Sequence, residues 1–306
     1  MLAFIAPGQG AQTPEMLTPW ITDPAAKLLL SQWSHEIDLD LVRLGTTADS
    51  DEIKDTANAQ PLIVAAGLLG ARALGSARLA IVAGHSVGEI TAAAIAGVID
   101  DVDAMKLVRA RGIEMAKAAA LKPAGMSAVL GGDREVVLRA ISDLGLVAAN
   151  DNGGGQIVAA GDLEALAQLA PEGARVRALA VAGAFHTSYM QPAVAPLQEI
   201  AAKISVHAAK CPVISNKDGA VLHNGREILD RIVAQISNPV RWDLCMTTLA
   251  NHVSGAVEVP PAGTLVGLLK RAVPIIETFA LKSAEDVTLA KEFIVRHQDE
   301  QNDEEK

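Results

Sequence analysis

The chain has 306 residues, half of them hydrophobic but only 3% aromatic, so it can fill a sizeable aliphatic core in one large domain or two smaller ones. Its net charge of -10 argues against a nucleic-acid role, because phosphate binding needs a basic face. No apolar run reaches spanning length without Gly, Pro or charge, the N-terminus lacks the basic start of a secretory leader, and Cys211 and Cys245 make no disulfide framework; a soluble cytoplasmic protein with no membrane role is expected.

"MLAFIA" (Met1–Ala6), closed by Pro7 and Gly8, reads as a buried strand. Helices are predicted near Pro24–His35 and Gln60–Leu74. A second buried strand, "LAIVAG", leads into a helix from Val87, and another helix covers Val102–Ala120. Strands alternating with helices imply a parallel sheet covered on both faces. The rhythm then changes. A strand over Met126–Gly131 is followed by an amphipathic helix, Asp133–Leu144, with Asp133 as its N-cap. A strand over Leu146–Asn150, the turn "DNGGG", a strand over Gln156–Gly161, a helix over Asp162–Ala170 and a strand over Ala174–Val181 complete a β-α-β-β-α-β unit, the ferredoxin-like order. Beyond it the pattern predicts a helix from His186 to Lys203, a strand near Val213–Ser215, helices over Arg226–Ile236 and Trp242–Asn251, a strand over Ala256–Val259 and a final helix near Thr264–Arg271. The fold class is therefore α/β: a hydrolase-like large domain with a parallel sheet (1–121 and 186–298) and an inserted ferredoxin-like small subdomain (122–185). The tail 299–306, with five acids and one Lys, reads as disordered.

The chemistry starts at "GHSVG". Gly-X-Ser-X-Gly between a strand and a helix is the nucleophile-elbow pattern, in which tight packing of the turn demands Gly on both sides and the Ser hydroxyl projects at a helix N-terminus. The plain alternative is a turn in which Ser86 caps the helix. A serine nucleophile needs a base. Of the seven histidines, His35, His207, His223, His252 and His297 lie in mixed polar stretches and read as surface residues, and His85 as a shaper of the turn. His186, in "VAGAFHTSYM", lies where the small subdomain rejoins the large one, the place for a pocket, and is the candidate base. An oxyanion could be met by the backbone N–H of Val87 and by one from the glycine-rich "PGQGAQ" after the first strand.

"APGQGAQ", "AQP", "AGHSVGEI", "ARG" at Ala110–Gly112, "GMSAVLG", "GQIVAAG", "VAGAFHT", "QISNPVRW" and "GTLVGLLKR" occur in that order. Together they resemble the stand-alone malonyl-CoA:acyl carrier protein transacylases of bacterial fatty-acid synthesis, over nearly the whole chain from Leu2 to Arg271. The resemblance implies a ping-pong exchange: Ser86 attacks the thioester of malonyl-CoA with His186 as base, coenzyme A leaves, and the phosphopantetheine thiol of acyl carrier protein takes the malonyl group. It implies no bound cofactor, with coenzyme A thioester as substrate and coenzyme A as product. It places the oxyanion hole at the N–H groups of Gln9 and Val87, the malonate carboxylate on Arg111, and the carbonyl that orients His186 at Gln235. Phe185 resembles the residue of malonyl-selecting members. The chain departs from the family at "VPPAGTL", with Pro260 and Pro261 where a Gly-Pro-Gly turn is usual, and at "DNGGGQ", which puts roles for Asn150 and Asn152 in doubt. Two rivals remain: a hydrolase with the same elbow, distinguished by Arg111, whose charged fork suits a dicarboxylic thioester, and a non-catalytic carrier-protein binder.

Overall fold

The computed structural model describes the backbone of residues 1–304 and the side chains of 1–298; the tail expected to be disordered over 299–306 is helical as far as Glu304, and its last two positions, 305 and 306, lie outside the described residues. The strands run in chain order as β1 (Leu2–Ala6), β2 (Ile81–Gly84), β3 (Gly125–Gly131), β4 (Val147–Asp151), β5 (Gln156–Gly161), β6 (Ala174–Ala178), β7 (Val213–Ile214), β8 (Val221–Leu222), β9 (Val240–Arg241), β10 (Gly255–Glu258) and β11 (Glu277–Ala280). The helices are α1 (Pro24–Glu36), α2 (Leu41–Thr46), α3 (Thr56–Leu74), α4 (Gly88–Ile95), α5 (Asp101–Ala120), α6 (Arg134–Asp143), α7 (Leu163–Gln168), α8 (Gln191–Ala201), α9 (Gly225–Gln235), α10 (Trp242–Ala250), α11 (Thr264–Ala272) and α12 (Val287–Glu304).

Among the described residues the strands form two sheets. The larger has the order β11-β10-β1-β2-β7-β8 and is parallel except at the β7–β8 edge. β1 is buried throughout because successive side chains feed opposite cores. Leu2, Phe4 and Ala6 enter the core beneath α3, α4 and α5, while Ala3 and Ile5 enter the one shared with α10 and α11. Four strands of the smaller sheet run in the order β6-β3-β5-β4, antiparallel, which is the ferredoxin-like arrangement expected from the order of elements. Its outer face packs Val129 and Ile157 against Val137 and Ile141 of α6 and Leu166 of α7. Its inner face, with Met126, Val158 and Ala160, belongs to the main core.

Several boundaries differ from the expectation. α3 starts at Thr56, a turn before Gln60, because Asp55 caps it, its carboxylate accepting from the Ala57 N–H at 2.7 Å. Pro61 inside the helix leaves the Ala57 carbonyl without its usual donor, and Arg109 Nη1 supplies one at 2.8 Å. The helix expected from His186 starts instead at Gln191, after a short 3-10 turn over Ser188–Met190, because His186 itself holds a left-handed φ of 63°. α11 is not the last helix, since β11 and α12 follow it. Their signal was a helical spacing of buried positions at Ala290, Phe293, Ile294 and His297. His297, read as a surface residue, is buried. β9 was also not foreseen. It leaves the large unit, pairs in parallel with β4 through Asn150↔Val240 and Asp151↔Arg241, and makes the small sheet five-stranded.

Candidate active site

The register Ala6↔Gly84 aligns the carboxyl ends of β1 and β2, so the loops after them meet. This is the usual ligand position on an open parallel sheet. The "GHSVG" turn lies there with Ser86 in the left-handed region at φ 54°. Both flanking glycines are required: a Cβ on Gly84 would overlap the Gly88 carbonyl group, and one on Gly88 would overlap the Ala6 carbonyl oxygen. Gly8 brings the first loop against the second, since a Cβ there would lie 2.8 Å from His85 Nδ1. Ser86 does not cap α4, which has no side-chain cap.

The structure joins Ser86 to His186 across a hundred residues. Ser86 Oγ lies 2.8 Å from His186 Nε2, and His186 Nδ1 lies 3.1 Å from the backbone carbonyl of Gln235. A carbonyl only accepts, so Nδ1 carries the proton and Nε2 faces the hydroxyl as an acceptor. The His186 backbone N–H is fixed as well, donating to Ile236 O at 3.1 Å. Burial, reinforced by the nearby charge of Arg111, pushes the imidazole pKa down to about 3. At neutral pH the ring is therefore uncharged, with the Nε2 lone pair turned to the Ser86 hydroxyl.

Arg111, on α5, is 1% exposed, and burial lowers its pKa to about 10, which leaves it charged at neutral pH. Nη1 donates to Gln60 Oε1 of α3 at 2.8 Å, and Nη2 reaches Ser86 Oγ at 3.2 Å and Gln235 Oε1 at 3.4 Å. Nε has no partner and no carboxylate pairs with the guanidinium among the described residues. A buried cation held only by neutral oxygens beside the Ser86 hydroxyl can receive an anion.

Ser86, His186 and Gln60 open into a cavity of about 240 Å³ between the two sheets, with Arg111 behind Ser86 and Gln60. Gln9 and Phe185 line it. The backbone N–H groups of Gln9 and Val87 donate to no acceptor among the described residues. The inner face of the small sheet forms the opposite wall with Met126, Asn150 and Val158, and α11 contributes Leu265 and Leu268. Asn152 Oδ1 is 2.8 Å from His85 Nε2, and His85 stacks edge-on to Trp242 at 5.6 Å, so the glycine-rich turn still delivers both asparagines to the site. Pro260 packs on α3 at Gly67 and Gly70.

Sequence reasoning missed Gln60, Asn216 and Glu89. Gln60 stood in the quoted "AQP" and Glu89 in "AGHSVGEI", but nothing local showed what they touch. Asn216 carried no signal beyond following a predicted strand. Among the described residues no group of His, Cys, Asp and Glu could hold a metal ion, and no helix is long and apolar enough to cross a membrane.

The family model described as "Acyl transferase domain" matches residues 3–302. The malonyl CoA-acyl carrier protein transacylase of Mycobacterium tuberculosis is 52% identical over 296 residues, covering 94% of this chain and 98% of that protein. The chain belongs to this acyl transferase family. A crystal structure of MCAT from Mycobacterium tuberculosis superposes with a TM-score of 0.92 at 51% identity, covering 95% of this chain and 99% of that one. A malonyl-transacylase in complex with its type II PKS acyl-carrier protein gives a TM-score of 0.88 at 30% identity, over 95% and 99% of the two chains. As a member of the acyl transferase family the protein is an acyltransferase, and every residue of its cavity lies inside the matched span.

Proposed function

We propose that this acyltransferase moves the malonyl group of malonyl-CoA to the phosphopantetheine thiol of acyl carrier protein through an ester on Ser86. The observation that carries the reading is the buried Ser86–His186–Gln235 carbonyl chain set beside an Arg111 that lacks a carboxylate. Ser86 Oγ attacks the thioester carbonyl as His186 Nε2 takes the hydroxyl proton. The C–S bond breaks, and the imidazolium returns the proton to the coenzyme A sulfur. In the second half the carrier thiol gives its proton to His186 and attacks the ester. The C–O bond breaks and Ser86 regains a proton. The N–H groups of Gln9 and Val87 face the oxyanion of each tetrahedral intermediate, in keeping with their lack of an internal acceptor. Gln235 serves through its carbonyl, in place of the acid of other triads, and holds the tautomer. Arg111 binds the malonyl carboxylate, and Phe185 bounds the space at its α-carbon. No bound cofactor takes part.

The relatives' names and the carrier-protein complex of one neighbour support the choice of substrates. Incubation with malonyl-CoA, followed by intact-protein mass spectrometry, should show one malonyl adduct that holo acyl carrier protein discharges. Ser86→Ala should show none, and His186→Ala should form it about 10²–10⁴-fold more slowly. An adduct at full stoichiometry on Ser86→Ala, or loss of malonyl to water in place of the carrier, would contradict the proposal.

A further inference from the structure

We propose that Asn216 is a positioning residue for the transfer: its carboxamide bridges the two sides of the nucleophile turn and holds Ser86 in its left-handed conformation. The inference rests on Ser86 being the acylated residue, as read above.

Asn216 lies two residues past the end of β7, the strand beside β2, and is fully buried. Its Oδ1 accepts from the Ser86 backbone N–H at 2.7 Å. Its Nδ2 donates to the Gly84 carbonyl at 2.7 Å. One planar group thus satisfies a donor and an acceptor on either side of His85, at a turn where a non-glycine residue sits at φ 54°. A left-handed φ at a residue with a side chain is strained and persists only where the surroundings over-determine it. The carboxamide supplies that constraint. A carboxylate could accept from Ser86 but not donate to Gly84, and an aliphatic side chain could do neither.

Asn216 is itself pinned from three elements. Its backbone N–H donates to Glu89 Oε1 of α4 at 2.8 Å. Its carbonyl accepts from the Arg241 N–H of β9, at 2.8 Å. Cys245 Sγ of α10 lies 3.7 Å from Nδ2. The ionisable groups packed here are Glu89 and Cys245, with Arg111, Arg231, Asp218 and Asp243 acting on them at longer range. The nucleophile's angle to His186 and the direction of the Val87 N–H both follow from the turn that this network holds.

The test uses the full-length enzyme with Asn216→Leu and Asn216→Asp. Three readouts are taken: the single-turnover rate of malonyl-enzyme formation, KM for malonyl-CoA, and the rate at which a fluorophosphonate labels Ser86. Asn216→Leu should acylate about 100-fold more slowly, the size expected for a small misplacement of a reacting group, with KM within about threefold. Fluorophosphonate labelling should fall in parallel. Asn216→Asp should be slow at pH 8 and recover relative to wild type as pH is lowered, because a protonated carboxyl again offers one donor and one acceptor. Where Asn216→Leu does not fold, the Asp variant decides. Acylation and labelling within twofold of wild type in a folded variant, or an Asp variant whose deficit is the same at every pH, would overturn the inference. A wild type that labels with fluorophosphonate but never carries malonyl would sink the malonyl reading instead. Asn216-dependent labelling would then still support the positioning role.

Discussion

On the proposed reading, Arg111 carries the substrate choice at this site. Malonyl differs from acetyl by a carboxylate that must leave water, and a buried carboxylate without a partner is costly. The guanidinium is held by Gln60 and Gln235, neutral acceptors that orient it without neutralising it. Its fork can then meet both carboxylate oxygens, which an ammonium cannot. Arg111→Ala should lower kcat/KM for malonyl-CoA by about 10²–10³-fold, equivalent to about 3–4 kcal/mol. Acetyl-CoA transfer should be kept or rise, and Arg111→Lys should be impaired for malonyl. Steady-state kinetics with both thioesters checks this. A parallel loss for both substrates would make Arg111 structural and move the preference elsewhere.

α11 illustrates how an element that walls the cavity is held from outside its own sequence. It begins at Thr264 behind Gly263, with no side-chain cap of its own. Glu258, at the end of β10, supplies the missing acceptors. Its Oε2 takes the Gly263 and Val266 N–H groups and its Oε1 the Leu265 N–H, each at 2.9 Å. A carboxylate suits a helix N-terminus because it satisfies orphan donors and faces the positive end of the dipole. Glu258 is fully buried, so no water can replace it. Glu258→Ala should therefore lower the unfolding free energy by about 3 kcal/mol in urea titration, and Glu258→Gln by less, since one acceptor remains. A loss under about 0.5 kcal/mol for the Ala variant would show that α11 is anchored by its packing alone.

The two sheets are expected to unfold together. The main core runs without a break from β1 and α3 into Met126, Val158 and Ala160 of the small sheet, and β9 ties that sheet to the large unit through β4. Trp20, Trp33 and Trp242 all lie in the large unit and report on it, whereas far-UV circular dichroism reports on both. In urea the two signals should share one midpoint. An earlier dichroism transition silent in tryptophan fluorescence would mean that the small sheet melts alone. The shared core also explains why the cavity exists: its walls come from both sheets, and neither closes it alone.

What the sequence determined by itself was local. The glycines of "GHSVG", the alternating strand and helix pattern, the ferredoxin-like order and the helix caps at Asp133 follow from steric demand and periodicity within a few residues. The start of α3 was missed at Pro61, whose lost donor is replaced by a distant group, Arg109, and the start of α8 at the left-handed φ of His186. Ser86 and His186 could be proposed because each sits at a recognisable turn or junction. That they stand 2.8 Å apart was decided only by the tertiary structure, as were Gln60 and Gln235 on Arg111, Glu258 on α11, and Asn216 on a turn 130 residues earlier in the chain. The physical reason is that a hydrogen bond between side chains far apart in sequence leaves no periodicity and no turn signature. It exists only once parallel strands have brought their carboxyl ends to one edge of the sheet.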